Sequence, residues 1–208
     1  EIGVHRGEFS ARLLRRLRQL RNGTALAQPR YFLVDIWRST SAVDRNGHKF
    51  AFGDGLQREF MRAAVRSLGG FWQQVSFLQL GAREAAPIFP EGSVGFVYLD
   101  ARHDYCAVSE ELELYWPKVA PGGVLAGDDY SMQWLQCANG SWIEGGLVRA
   151  VQEFAANRRL PLFTFRDQFL LFKSPAAEAA LPPPVSGGGD DGAHAVGSAA
   201  GGVGEDGA

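Results

Sequence analysis

VGFVYLDARHDYCAVSEELELYWPKVAPGGVLAGDDY, residues 94–130, is an apolar strand closing on Asp100, a helix, a Pro-Gly-Gly turn, and a second apolar strand, Val124 to Gly127, closing on Asp128 and Asp129. Two buried-strand runs separated by one amphipathic helix are the signature of a parallel βαβ unit. Both strands of such a unit end on the same edge of the sheet, where open α/β sheets bind ligands. Three carboxylates and the imidazole of His103 are thereby delivered to one edge. Converging carboxylates without nearby lysines repel one another, which raises their pKa values or recruits a cation, and a hard divalent ion such as Mg²⁺ suits oxygen donors.

Upstream, Glu1-Ile2-Gly3 reads as the end of a strand, so the natural N-terminus is expected to lie before it. Gly3 and Gly7 follow in a loop, and then Phe9, Leu13, Leu14, Leu17 and Leu20 repeat at helical spacing. Arg12, Arg15, Arg16, Arg18 and Arg21 fall mostly on the opposite, solvated face. The next apolar run, Tyr31 to Val34, closes on Asp35, 28 residues after Gly7. That is roughly where a dinucleotide-type fold holds ribose hydroxyls with a carboxylate. Residues 38–55 are polar and glycine-containing and read as a loop. A helix over Leu56 to Leu68 ends at Gly69-Gly70, and a third strand, Val75 to Leu80, opens into Gly81-Ala82-Arg83-Glu84.

The spacing Glu1-x-Gly3-x-x-x-Gly7 is not the G-x-G-x-x-G of nicotinamide or flavin binders. It resembles the first motif of class I S-adenosylmethionine-dependent methyltransferases. The run Asp100-Ala101-Arg102-His103-Asp104-Tyr105, followed 28 residues after Asp100 by Asp128-Asp129, is similar to the metal-dependent O-methyltransferases that modify sugar hydroxyls of macrolide and aminocoumarin antibiotics. More distantly it resembles catechol O-methyltransferase. The resemblance spans roughly residues 1–173. It implies an α/β, Rossmann-like doubly wound sheet, mostly parallel with a C-terminal antiparallel hairpin, in strand order 3-2-1-4-5-7-6. For the cofactor S-adenosylmethionine it implies contacts from Glu1, Gly3, Gly7, Asp35, Ala82, Arg83 and Asp100. For Mg²⁺ it implies Asp100, Asp128 and Asp129, and it makes His103 the catalytic base.

Downstream of Asp100 the helix carries Tyr105, Val108, Leu112, Tyr115 and Trp116 on one face and leaves Glu110, Glu111 and Glu113 exposed. An irregular stretch with Trp134, Cys137 and Trp142 follows, long enough to face substrate. Then come an amphipathic helix (Leu147, Val148, Val151, Phe154, Ala155) and two strands, Leu162 to Phe165 and Phe169 to Phe172, close enough for a hairpin. From Ser174 the composition collapses to Ala, Gly, Pro and acids, so 174–208 reads as a disordered tail.

The composition bounds what remains. With 208 residues and 46% apolar content the chain can bury one substantial core. All 21 Lys and Arg fall within residues 1–173 against 18 of the 23 acids, a balance that gives no reason for a nucleic-acid partner. There is no membrane-length apolar run, and cytoplasmic location is the default expectation. Cys106 and Cys137 lack metal or framework spacing and read as reduced thiols. Asn22-Gly23-Thr24 and Asn139-Gly140-Ser141 match the glycosylation pattern, which matters only in a secreted protein. Three function classes fit: Mg²⁺-assisted O-methylation of a small molecule or sugar, metal-independent methylation of another acceptor, and a silent cofactor-binding module. Sensitivity to EDTA separates the first two, and turnover separates both from the third.

Overall fold

The computed structural model describes residues 1–21, 28–44, 46–132 and 135–175. The expected tail beyond residue 175, the pattern at Asn22 and Trp134 lie outside them. Helix α1 (Glu8–Arg21) buries Ala11 and Leu14. Strand β1 (Tyr31–Val34) pairs in parallel with β4 (Val75–Leu78). Strand β5 (Val94–Leu99) pairs in parallel with β6 (Val119–Gly127), and β8 (Gln168–Phe172) lies antiparallel to both β6 and β7 (Leu162–Phe165). Ile2 makes single parallel bridges to Val34 on one side and Leu99 on the other. Helices α2 (Asp54–Ser67), α3 (Ala82–Ala85), α4 (Tyr105–Tyr115) and α5 (Gly146–Asn157) complete the α/β fold. Among the described residues no helix is long and apolar enough to cross a membrane.

Alternation along β1 explains why helices cover both sides. Tyr31 and Leu33 belong to a core with Leu14, Phe60, Ala64 and Leu68 from α1 and α2, whereas Val34 joins Leu99, Val108, Leu112, Leu125, Val151 and Phe169 on the other side. Successive strand residues point to opposite faces, so a strand apolar at every position must be buried twice. Each fully buried Leu or Val contributes on the order of 1.5–3 kcal/mol.

Three expectations are corrected. Pro121-Gly122-Gly123 is not a turn before the strand: β6 starts at Val119 and runs through it, with a register shift against β5. A bulge at a sheet strand absorbs the proline's missing N–H and the glycine's positive φ of 80° at Gly122. Residues 38–55 are not simply a loop, because Thr40–Val43 (β2) and Lys49–Phe52 (β3) form an antiparallel hairpin. Cys106 and Cys137 form a disulfide with a Cα separation of 5.7 Å. It ties the first turn of α4 to the segment after β6. Nothing in the spacing of two cysteines announces such a bond, since only the fold brings them together.

Candidate active site

The site lies in a cleft of about 1430 Å³ at the carboxyl ends of β1, β5 and β6, lined by Gly3, Asp35, Asp100, His103 and Asp129 among others. Gly3 enters the sheet edge with φ 83°, and a Cβ there would lie 2.1 Å from the Asp100 carbonyl oxygen. Gly7, at φ 70°, lies against Ala64 of α2, 3.1 Å from a Cβ position. Both glycines are thus required by the chain's own close approaches as well as by the turn.

Asp35 holds that loop in place. Its Oδ2 accepts from the backbone N–H groups of Val4 (2.8 Å) and His5 (2.9 Å), and its Oδ1 accepts from Trp37 N–H (2.8 Å). Trp37, buried at a positive φ of 40°, returns an indole N–H bond of 3.0 Å to the His5 carbonyl. Trp37 went unnoticed in the sequence, where an aromatic two residues past a strand-ending Asp was the available signal. Glu1 stands apart from the cleft lining. Its carboxylate accepts from Ser10 Oγ, and burial pushes it up to about 8.

At the other strand ends, His103 Nε2 lies 3.4 Å from Asp100 Oδ1 and 3.2 Å from Asp129 Oδ2. Its side chain is only 18% exposed, and Nε2 makes no well-formed hydrogen bond although sealed from solvent. Burial pulls the imidazole pKa down, but contact with Asp100 and the charges of both carboxylates outweigh it, so the net shift is upward. Asp100 is itself raised, chiefly by burial, against the lowering influence of His103. These three side chains offer ligand atoms within 4.8 Å of one another. The two hard carboxylates are donors that fit a divalent cation, and the unsatisfied His103 nitrogen lies beside them.

Asp128 is not brought into this group. Its backbone N–H still donates to Leu99 O (3.1 Å) as part of the sheet, and its side chain lies beside the Tyr98 hydroxyl, whose pKa is driven up by burial and then by the Asp128 charge. Asp129 adopts the left-handed conformation, φ 52°, which aspartate tolerates better than most residues.

Ala82 and Arg83, on α3, also line the cleft. The Tyr115 hydroxyl donates to the Ala82 carbonyl (2.7 Å), and Arg83 pairs with Glu110 across the two helices. Glu111, expected at the surface, is 5% exposed instead and also lines the cleft. The hairpin supplies a roof: Thr40, Ser41, Ala42, Phe50 and Phe52 line the cleft, and the Gln136 N–H donates to Val43 O (3.0 Å) beside a bridge between Asp44 and Leu135.

Residues 1–130 match the family Methyltransf_24, described as a methyltransferase domain. Among solved structures, the chain is similar to the O-methyltransferase NovP at 21% identity and TM-score 0.56, covering 83% of this chain and 70% of that one. A protein from Corynebacterium glutamicum matches at 14% identity and TM-score 0.47, over 76% of this chain and 67% of that one. An O-methyltransferase family protein from Burkholderia thailandensis matches at 16% identity and TM-score 0.49 over 83% of this chain, which spans about half (49%) of that protein. Comparison with curated proteins gives no match.

Proposed function

The chain belongs to the Methyltransf_24 methyltransferase-domain family, and from that premise we propose that it transfers the methyl group of S-adenosylmethionine to a hydroxyl of a small molecule or sugar. The observation that carries the reading is the shared cleft: the glycine loop fixed by Asp35 and the Asp100, His103, Asp129 cluster open onto one cavity. Its volume accommodates a nucleoside-sized ligand with room for an acceptor. We further read the strands as one sheet in the order β4-β1-Ile2-β5-β6-β8-β7, the expected 3-2-1-4-5-7-6 with Ile2 in the place of the central strand, supported by the bridges of Ile2 to both Val34 and Leu99.

S-adenosylmethionine supplies an electrophilic methyl carbon. The chain's own part begins with positioning, since a rigid loop and a walled cleft set donor and acceptor in line. His103 takes the acceptor's hydroxyl proton at Nε2, and Asp100 and Asp129 stabilise the resulting imidazolium. A positioned base of this kind contributes roughly 10²–10⁴-fold. A divalent cation, Mg²⁺ in the simplest case, would be held by Asp100 and Asp129 and would supply charge that acidifies the hydroxyl. The hairpin presents Phe50 and Phe52, 50% and 43% exposed, to the cleft, a surface suited to an acceptor with an apolar face.

The test is methyl transfer to a panel of small hydroxylated acceptors, with Mg²⁺ and with EDTA, in the wild type and in Asp100→Asn, Asp128→Asn and Asp129→Asn. Turnover suppressed by EDTA and by Asp100→Asn and Asp129→Asn is the expected result. EDTA-insensitive turnover would favour the metal-independent reading, and donor binding without turnover across the panel would favour the silent module.

A further inference from the structure

We infer that Asn139 is a site of N-linked glycosylation, carrying an oligosaccharide acquired in an oxidising compartment of the secretory type. The inference goes beyond the proposed methyl transfer and does not rest on it.

Two independent observations point the same way. The first is Asn139-Gly140-Ser141, an Asn-x-Ser acceptor pattern whose middle residue is not proline. Such a pattern becomes a site only where the fold leaves room for a bulky, hydrated sugar and where the chain meets the glycosylation machinery. The second is the Cys106–Cys137 disulfide, which closes two residues before the pattern. Disulfides form and persist in oxidising compartments and are rare in reducing ones. The bond thus argues for the kind of compartment in which the pattern is read.

The fold supplies the room. Ala138, Asn139 and Gly140 are all exposed, in a tight turn. The Gly140 N–H donates to the Cys137 carbonyl (2.9 Å) and the Cys137 N–H donates to the Ser141 carbonyl (3.0 Å), with Gly140 at φ 84°. In this stretch the cleft lining stops at Gln136, three residues before Asn139, so a sugar on Asn139 is attached outside the methyl-transfer site.

The side chains are arranged for the reaction. Asn139 Oδ1 accepts from Ser141 Oγ (2.7 Å) and from the Ser141 N–H (3.0 Å). The amide oxygen is thereby occupied, whereas Nδ2 has no partner among the described residues. Nδ2 is the atom that reacts: it attacks the anomeric carbon of an oligosaccharide carried on a lipid diphosphate. The new N–C bond forms as the C–O bond to the diphosphate breaks. The lipid diphosphate leaves, and the amide gives up one of its two protons to a base of the transferase. The Ser141 hydroxyl, bonded to the reacting amide, is the feature that threonine reproduces and alanine lacks.

The experiment takes the natural protein from the cells that make it, with thiols blocked at lysis. Peptide N-glycosidase in heavy-oxygen water, followed by mass spectrometry of the tryptic peptide 119–149, reads occupancy, because release of the glycan leaves a labelled acid at position 139. The same digest without reductant shows whether that peptide stays linked to peptide 103–118 through Cys137 and Cys106. The expected result is the label at position 139 in disulfide-linked material. Ser141→Thr, made in the same cells, should keep the glycan, while Ser141→Ala and Asn139→Gln should each lose one glycan's worth of electrophoretic shift. These changes leave the separate pattern at Asn22 untouched, so it does not confuse the reading. An unmodified Asn139 overturns the inference whatever the state of the cysteines. A glycan retained at Asn139 in Ser141→Ala overturns the assignment to this pattern, and free thiols at both cysteines overturn the compartment on which it rests.

Discussion

Asp35 and Asp100 are written alike, each closing an apolar strand, yet the structure uses them in opposite ways. The Asp35 carboxylate accepts three backbone N–H bonds, from the glycine loop and Trp37, while lining the cleft. Asp100 faces a second carboxylate across an imidazole whose Nε2 makes no well-formed hydrogen bond. A carboxylate bonded to three backbone N–H groups holds its loop whatever else it touches, and one that shares an unsatisfied, buried cluster is available for chemistry. The environment at a strand's end, more than the residue placed there, separates support from reactivity.

The largest expected effect tests the reactive side of that comparison. Asp100→Asn and His103→Ala should each lower methyl transfer by about 10²-fold or more while leaving the thermal melt within a few degrees. An inactive protein that has also unfolded would place Asp100 with Asp35 as scaffold. The supporting side should behave in reverse. Gly3→Ala, which forces a methyl against the Asp100 carbonyl at positive φ, should cost about 2–4 kcal/mol or abolish folding. Asp35→Ala leaves three backbone donors to find water and should cost roughly 2–3 kcal/mol by denaturant unfolding. If Asp35→Ala kept full stability but lost donor binding alone, its role would be ligand contact, as the sequence first suggests.

Glu111 yields a smaller, pH-dependent effect. Its folded pKa of about 8 exceeds the ordinary carboxyl value of 4.5, so the fold holds the proton more tightly than the unfolded chain. Stability from this group is therefore present below about pH 4.5 and is lost progressively as pH rises through 8. Glu111→Gln should gain up to a few kcal/mol over the wild type at pH 8–9 and almost nothing near pH 4.5. Equal gains at both pH values would contradict the buried protonated state. Reduction of the Cys106–Cys137 disulfide, closing 31 residues, should cost roughly 3–4 kcal/mol at most and loosen the segment after β6. Melting with and without reductant measures it.

What the sequence disclosed was local. The leucine stripe of α1, the apolar runs of β1, β5 and β6 and the amphipathic pattern of α5 follow from periodicities of 3.6 and 2, which neighbouring residues alone determine. The cluster of Asp100 and His103 was legible for the same reason, being one strand end and its turn. Asp128 and Asp129 were not separable, because two adjacent carboxylates read alike until the fold places one in the cleft and the other beside Tyr98. Glu111 sits at a helical position whose neighbours, Glu110 and Glu113, are charged, so its burial follows from tertiary packing that the local pattern does not encode. The Cys106–Cys137 bond and the hairpin contact between Val43 and Gln136 join distant segments, and no short-range pattern encodes them.

The most direct test of the central claim is calorimetric titration of S-adenosylmethionine into the protein with Mg²⁺ and again with EDTA, followed by Mg²⁺ titration of the complex. Donor binding in at least one condition, with a Mg²⁺ signal abolished by Asp129→Asn, is the predicted result. A folded protein that binds no S-adenosylmethionine in either condition would contradict it.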